Sequence, residues 1–214
     1  MLMLEERAEL VKYGKKLVEA GLTSGTGGNL SIYNRETNLV AVTPSGVDYF
    51  DTKLEDIVIT DIDGKVVEGD KKPTSELSFH LGLYKSRADV NAVVHTHSVY
   101  ATTIACMGLE LPAVHYMVAF SGNKVPLAPY ATFGTQELAD SVAENIGDYN
   151  AVLLANHGLV TVSGNLPTAF SAAEEIEFVA RIYCQAKSFG QPNILPDDEM
   201  AKVVEKFKWY GQKK

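Results

Sequence analysis

The run Val90-Asn91-Ala92-Val93-Val94-His95-Thr96-His97 is an apolar strand that ends on two histidines. Side chains two apart on a strand share a face, so His95 and His97 stand side by side, roughly 6.6 Å apart along the backbone. Two imidazoles so placed can converge on one ion, although a core and a surface histidine that happen to lie two apart give the same spacing. A catalytic zinc ion takes nitrogen ligands at about 2.0–2.1 Å, with three protein ligands and an open position. The third ligand must come from elsewhere. His157 is the best candidate, because Asn156-His157-Gly158 interrupts another strand-like run, Ala151–Val162, and Gly158 lets the backbone turn closely beside an ion. Glu76 can add an oxygen. His80, one helical turn after Glu76, is a rival ligand or an ordinary helix residue. With His115 the chain has five histidines, and spacing alone does not choose among them.

Outward from this strand, Ser75 to about Tyr84 reads as a helix that Ser75 can cap, and Ser98 can cap another running through Met107. Leu30–Tyr33 and Leu39–Thr43 form a predicted hairpin. Ile57–Thr60 and Lys65–Val67 form a second, around Asp63-Gly64, a dipeptide that accepts the positive φ angles of a tight turn. Leu4–Ala20 has helical periodicity with Gly21 at its end. Helices are also expected at Thr135–Ile146, Pro167–Phe189 and Asp197–Trp209. The elements lack the regular alternation of a doubly wound sheet. They predict an α/β chain of α+β type, one domain over 1–214, with a central mixed, mainly antiparallel sheet flanked by helices.

The bulk composition narrows the partners. The 214 residues are 46% apolar and 21% charged, with a net charge of −8 and no basic cluster to meet nucleic acid or an anionic lipid surface. No run supplies the roughly 18 apolar residues of a spanning helix, and Glu5, Glu6 and Arg7 occupy the place where a signal peptide is apolar. A cytoplasmic protein with neither nucleic-acid nor membrane partners is expected. Cys106 and Cys184, far apart in apolar surroundings, are expected as buried thiols.

Three loops can cradle an anion. Thr23-Ser24-Gly25-Thr26-Gly27-Gly28-Asn29 offers backbone donors beside small residues, but its glycine spacing and its helix-to-strand context fit neither a dinucleotide loop nor a Walker motif. Thr43-Pro44-Ser45-Gly46 ends a strand, and Thr74-Ser75 begins a helix whose positive end favours an anion. Read blandly, all three are turns and caps.

Taken together, His95-Thr96-His97, Pro73-Thr74-Ser75-Glu76, Ser24-Gly25-Thr26-Gly27-Gly28-Asn29 and Ala155-Asn156-His157-Gly158-Leu159 resemble the class II aldolase and adducin family, in order and in spacing. Within it the chain is most similar to the L-fuculose-1-phosphate aldolase branch, through Val114-His115-Tyr116-Met117, Ala128 to Thr135 and Lys206 to Gly211. The likeness spans essentially the whole chain. It implies one zinc ion per subunit held by Glu76, His95, His97 and His157, which leaves His80 and His115 as non-ligands. It also implies substrate phosphate at Gly28-Asn29, Ser45-Gly46 and Thr74-Ser75, with Thr26 close by. Tyr116 is implied as a proton donor reaching a neighbouring subunit's site, Tyr210 as part of a tail that closes over the sugar, and the assembly as a C4 homotetramer with sites between subunits. Departures are mild: Gly27 replaces a common alanine, Ser45 and Thr74 each exchange one hydroxyl residue for another, and Trp209 stands beside Tyr210.

The implied activity is reversible cleavage of L-fuculose 1-phosphate, or a related ketose 1-phosphate, into dihydroxyacetone phosphate and L-lactaldehyde or a related aldehyde. Zinc as a Lewis acid stabilises the developing enediolate by several kcal/mol, with no Schiff-base lysine, and Glu76 serves as base. Alternatives with the same fold are an L-ribulose-5-phosphate 4-epimerase, a methylthioribulose-1-phosphate dehydratase and a metal-free, adducin-like interaction domain. Glu76 argues against the epimerase, which carries Asp there and a further acidic residue where this chain has Phe120 and Ser121. Retention of all four candidate ligands argues against the scaffold.

Overall fold

The computed structural model describes residues 1–207 and 209. In chain order the elements are α1 (Leu4–Glu19), β1 (Asn29–Asn34), β2 (Leu39–Val42), β3 (Val58–Asp61), β4 (Val66–Glu68), α2 (Leu77–Ser86), β5 (Ala92–Thr96), α3 (Val99–Cys106), β6 (Leu111–Pro112), β7 (Lys124–Val125), β8 (Leu127–Ala128), α4 (Gln136–Ile146), β9 (Ala151–Leu154), β10 (Gly158–Ser163), α5 (Leu166–Phe189) and α6 (Asp197–Phe207). Eight strands form one sheet in the order β4-β3-β2-β1-β5-β10-β9-β8. All neighbours are antiparallel except β8 and β9. β6 and β7 pair separately. The expected mainly antiparallel sheet between helices is the one observed.

Strand alternation sorts the side chains into two faces. Tyr33, Val40, Val93, Val160 and Val162 pack with Phe79, Leu83 and Tyr84 of α2 and with Leu138 and Val142 of α4. On the opposite face Leu30, Ile32, Ala41, Ala92 and Val94 meet Leu10, Leu17, Ala169 and Phe170 of α1 and α5. A third cluster joins α3, the middle of α5 and Met200 of α6 to Leu153 and Leu159. Among the described residues no helix is long and apolar enough to cross a membrane.

Several local expectations change. Gly21, at φ 68°, ends α1 as foreseen, with its N–H donating to the Val18 carbonyl and that of Leu22 to Leu17. Ser75 does not cap α2, which begins at Leu77 with Glu76 in the cap position. Ser98 occupies the cap of α3, but its hydroxyl lies 3.2 Å from Thr96 Oγ1 rather than bonding the helix. Thr135 does cap α4, through the Leu138 N–H. In the second hairpin Gly64 alone takes a positive φ, because the Asp61 carboxylate accepts the N–H groups of Asp63 and Lys65 and holds the turn. Cys106 is exposed and Cys184 partly so, against the expectation of two buried thiols. Cys106 closes the last turn of α3, where the helix leaves the sheet.

Candidate active site

β5 lies at the centre of the sheet and delivers His95 opposite Asn29 of β1 on one side and Val160 of β10 on the other. His95 is fully buried, and its Nδ1–H donates to the Leu159 carbonyl at 3.0 Å. That bond fixes the tautomer and leaves Nε2 as a bare lone pair facing the site. His97 follows at the exposed end of the strand, held by its N–H on the Leu22 carbonyl. His157 sits in the turn joining β9 to β10, where Asn156 takes φ 55°.

Gly158 serves differently from its expected role in a turn. It already lies in β10, and a Cβ there would collide with the Thr96 carbonyl oxygen and stand 3.2 Å from the rings of both His95 and His97. Glycine is needed because the Thr96 carbonyl, flanked by the two histidine rings, occupies the space a side chain would fill.

Glu76 completes the group. It is buried, and its Oε2 accepts a hydrogen bond from Asn29 Nδ2 at 2.8 Å and lies 3.3 Å from His95 Nε2. Its Oε1 lies 3.2 Å from His157 Nε2 and has no hydrogen-bond partner. His95 Nε2 and His97 Nε2 are 3.0 Å apart, and the ligand nitrogens of the three histidines all lie within 4.8 Å of one another. Burial, reinforced by the neighbouring rings, pushes the His95 pKa well below its ordinary value. Burial also lowers those of His97 and His157, against the pull of Glu76. His95 presents a lone pair, His97 and His157 as neutral imidazoles can each turn one inward, and with the carboxylate they converge on a shared point, an arrangement that a cation stabilises. Ligands about 2.0–2.1 Å from a tetrahedral ion stand roughly 3.3 Å apart, so the donor set and the unpartnered Glu76 oxygen fit a small divalent metal. His80 and His115 stay outside: His80 bonds Asn29 and Ser31, and His115 accepts from the Met117 N–H.

Beside the four ligand candidates opens a cavity of about 380 Å³, lined by Thr26, Gly28, Asn29, Ser45, Gly46, Thr74 and Ser75 together with Glu76, His97 and His157. Backbone bonds bring the three loops together. The Thr43 N–H donates to Leu30, Ser45 to Lys72 and Thr74 to Thr43, so both later loops are laced to the strand that begins at Asn29. Gly28 takes φ 69°, and a Cβ there would come within 2.6 Å of the His95 carbonyl oxygen. The remaining wall was not foreseen from the residues. Beside Pro44 and Asn156 of the loops already named, it is formed by two largely exposed aromatics, Tyr130 and Phe133. These sit in an irregular segment after β8 without periodicity to mark it.

Tyr116 does not line this cavity. It is 49% exposed, in a 3-10 turn spanning Tyr116–Phe120, with its ring against His115 and Phe207. Tyr210 lies outside the described residues.

Residues 8–184 match the model of the Class II Aldolase and Adducin N-terminal domain, and the chain belongs to this family. A 5-deoxy-D-ribulose 1-phosphate aldolase of Bacillus thuringiensis serovar kurstaki is 58% identical over 99% of this chain and all of that one. The L-fuculose phosphate aldolase of Escherichia coli K12 is 42% identical, covering 92% of this chain and 91% of its own. A solved structure of an L-fuculose 1-phosphate aldolase superposes with a TM-score of 0.95 at 52% identity, covering 97% of this chain and 98% of the other. The protein is therefore an aldehyde-lyase of the metal-dependent class II type, a family that acts on phosphorylated sugars. The relatives bear the names of aldolases, in line with that reading rather than with the epimerase, the dehydratase or the adducin-like domain.

Proposed function

We propose that the protein cleaves 5-deoxyribulose 1-phosphate reversibly into dihydroxyacetone phosphate and acetaldehyde, and accepts L-fuculose 1-phosphate, with release of L-lactaldehyde, as a poorer substrate. The observation that carries the cleavage is Glu76: a buried carboxylate with one unpartnered oxygen, on the wall of a loop-lined cavity and beside three converging imidazoles. The order of substrates follows the relatives, 58% identical for the 5-deoxyribulose 1-phosphate enzyme against 52% and 42% for the two L-fuculose phosphate enzymes.

Zinc would be held by His95, His97 and His157 and, until the substrate enters and displaces it, by Glu76, and when bound would supply Lewis acidity toward the ketone oxygen. The chain's own groups supply the rest. Backbone donors and hydroxyls at Gly28-Asn29, Ser45-Gly46 and Thr74-Ser75, with Thr26 beside them and the start of α2 behind, dock the phosphate. Docking one end of the ketose fixes the position of C4 relative to Glu76. The Glu76 carboxylate takes the proton of the C4 hydroxyl, the C3–C4 bond breaks, and its electron pair moves toward the C2 carbonyl as an enediolate while C4 leaves as the aldehyde; return of the proton from Glu76 to C3 gives dihydroxyacetone phosphate and restores the carboxylate. Tyr116, half-exposed and outside its own chain's cavity, acts across a subunit boundary of a C4 homotetramer and in condensation protonates the aldehyde oxygen.

The test is a coupled assay for dihydroxyacetone phosphate with each ketose phosphate. Release from both, with higher kcat/KM for the five-carbon substrate, is expected. Preference for L-fuculose 1-phosphate would reverse the order, and release from neither would remove the assignment.

A further inference from the structure

Behind Glu76 runs a line of buried polar side chains that the chemistry above does not use, the Asn29 backbone alone serving the phosphate. Asn29 Nδ2 donates to Glu76 Oε2, and Asn29 Oδ1 lies 2.5 Å from His80 Nε2. His80 Nδ1 lies 2.6 Å from Ser31 Oγ, which lies 2.5 Å from the Tyr84 hydroxyl. Asn29, Ser31, His80 and Tyr84 are all nearly or fully removed from solvent.

The direction of every bond follows from its two ends. A carboxylate can only accept, so the Asn29 amide nitrogen faces Glu76 and its carbonyl faces His80. That carbonyl can only accept, so His80 carries its proton on Nε2. Burial, then the nearby His95, push the His80 pKa well below the ordinary range, so a second proton on Nδ1 is disfavoured. Nδ1 therefore accepts from Ser31, and Ser31 accepts from Tyr84. Reversing any one bond would leave a donor facing a donor or an acceptor facing an acceptor inside the core. Both heteroatoms of the Asn29 side chain are committed inward, so in this arrangement it is a clamp on Glu76.

We propose that the Tyr84–Ser31–His80–Asn29 chain is a one-way hydrogen-bond clamp that ties down Oε2 of Glu76 and leaves Oε1 as the working oxygen, which makes His80 a positioning residue for the base. His80 touches neither the cavity nor the three ligand imidazoles through a hydrogen bond; it acts through Asn29. The inference rests on Glu76 being the base.

Three substitutions test it, with Glu76→Gln run in parallel. His80→Leu removes the donor to Asn29 and, acting on Glu76 through that one intervening residue, should lower kcat about 10-fold, the lower end of the effect of losing a group bonded directly to a metal ligand, with KM within about threefold. The affinity for Zn2+ alone, measured by chelator competition without substrate, should weaken about tenfold. His80→Gln, which can present an amide N–H near the place of Nε2, should recover most of both losses. Ser31→Ala removes the donor to Nδ1 and should lower kcat by roughly threefold or more; it decides the matter if His80→Leu does not fold. The clamp is refuted if Glu76→Gln is inactive while His80→Leu, or Ser31→Ala in its stead, keeps wild-type kcat and Zn2+ affinity. It is equally refuted if His80→Gln is as impaired as His80→Leu, since the role would then be packing. If Glu76→Gln itself turns over normally, the assignment of the base fails instead.

Discussion

The two faces of β1 and β5 are built from alternate residues of the same strands and do opposite work. Toward α1 and α5 they present Leu30, Ile32, Ala92 and Val94, an apolar surface. Toward α2, Asn29, Ser31 and His95 share the interior with His80 and Glu76, and almost every polar atom there has a named partner. The exception is Glu76 Oε1. An apolar face tolerates changes that conserve volume, because dispersion and burial are non-directional. A polar face in the same core does not, because each donor must meet one acceptor. The comparison implies that stability and turnover can be damaged separately from residues one position apart.

The largest separation is expected at Glu76. Glu76→Gln keeps shape and removes the charge, so kcat should fall by about 10²–10⁴-fold, the typical contribution of a positioned base, while thermal unfolding shows a folded protein. Leu30→Ala, between Asn29 and Ser31 but pointing to the other face, should cost about 2–5 kcal/mol in urea unfolding, with kcat of the folded fraction close to wild type. Equal damage to kcat would dissolve the distinction between the faces.

Gly158→Ala tests where the two meet. The added methyl presses on the Thr96 carbonyl and on both His95 and His97, so a stability loss of about 1–3 kcal/mol together with weakened metal binding is expected. A variant with unaltered metal affinity would show that the histidines have more room than the geometry allows.

Acid should act more gently, and within the core it acts on the polar face. The folded pKa of His80 lies well below 6.5 and that of the unfolded chain near it. Between the two the unfolded chain binds the extra proton, so stability is full above about pH 6.5 and declines as pH falls below it, by at most about 1.4 kcal/mol per pH unit for each such imidazole. Urea titrations of metal-free protein should show this slope, and His80→Gln should reduce it by one imidazole's share, His95 contributing in the same direction.

Much of this was legible in the sequence because the signals are local. His95-Thr96-His97 marks both the central strand and two ligands, and the hairpins, the Gly21 helix end and the hydroxyl-rich loops are written in a few adjacent residues. What escaped depends on long-range geometry. Spacing left both His157 and His80 open and only the family resemblance chose between them; in the structure the choice is made by a bond from His80 to Asn29 across 51 residues and by Asn156 turning β9 into β10. Gly158 was noticed for the wrong reason, since its demand for space arises only when β10 lies against β5. Tyr130 and Phe133 reach the cavity from irregular backbone, where periodicity carries no information.

The most direct test of the account is to strip the protein with a chelator and titrate it back with Zn2+, following bound metal and release of dihydroxyacetone phosphate in the same samples. Activity should vanish on stripping, return in proportion to bound ion and reach its plateau at one ion per chain, with no recovery when His95 is replaced by Ala. Turnover that persists in the stripped protein, or that returns equally in the His95→Ala variant, would contradict a metal held by these residues as the centre of the reaction.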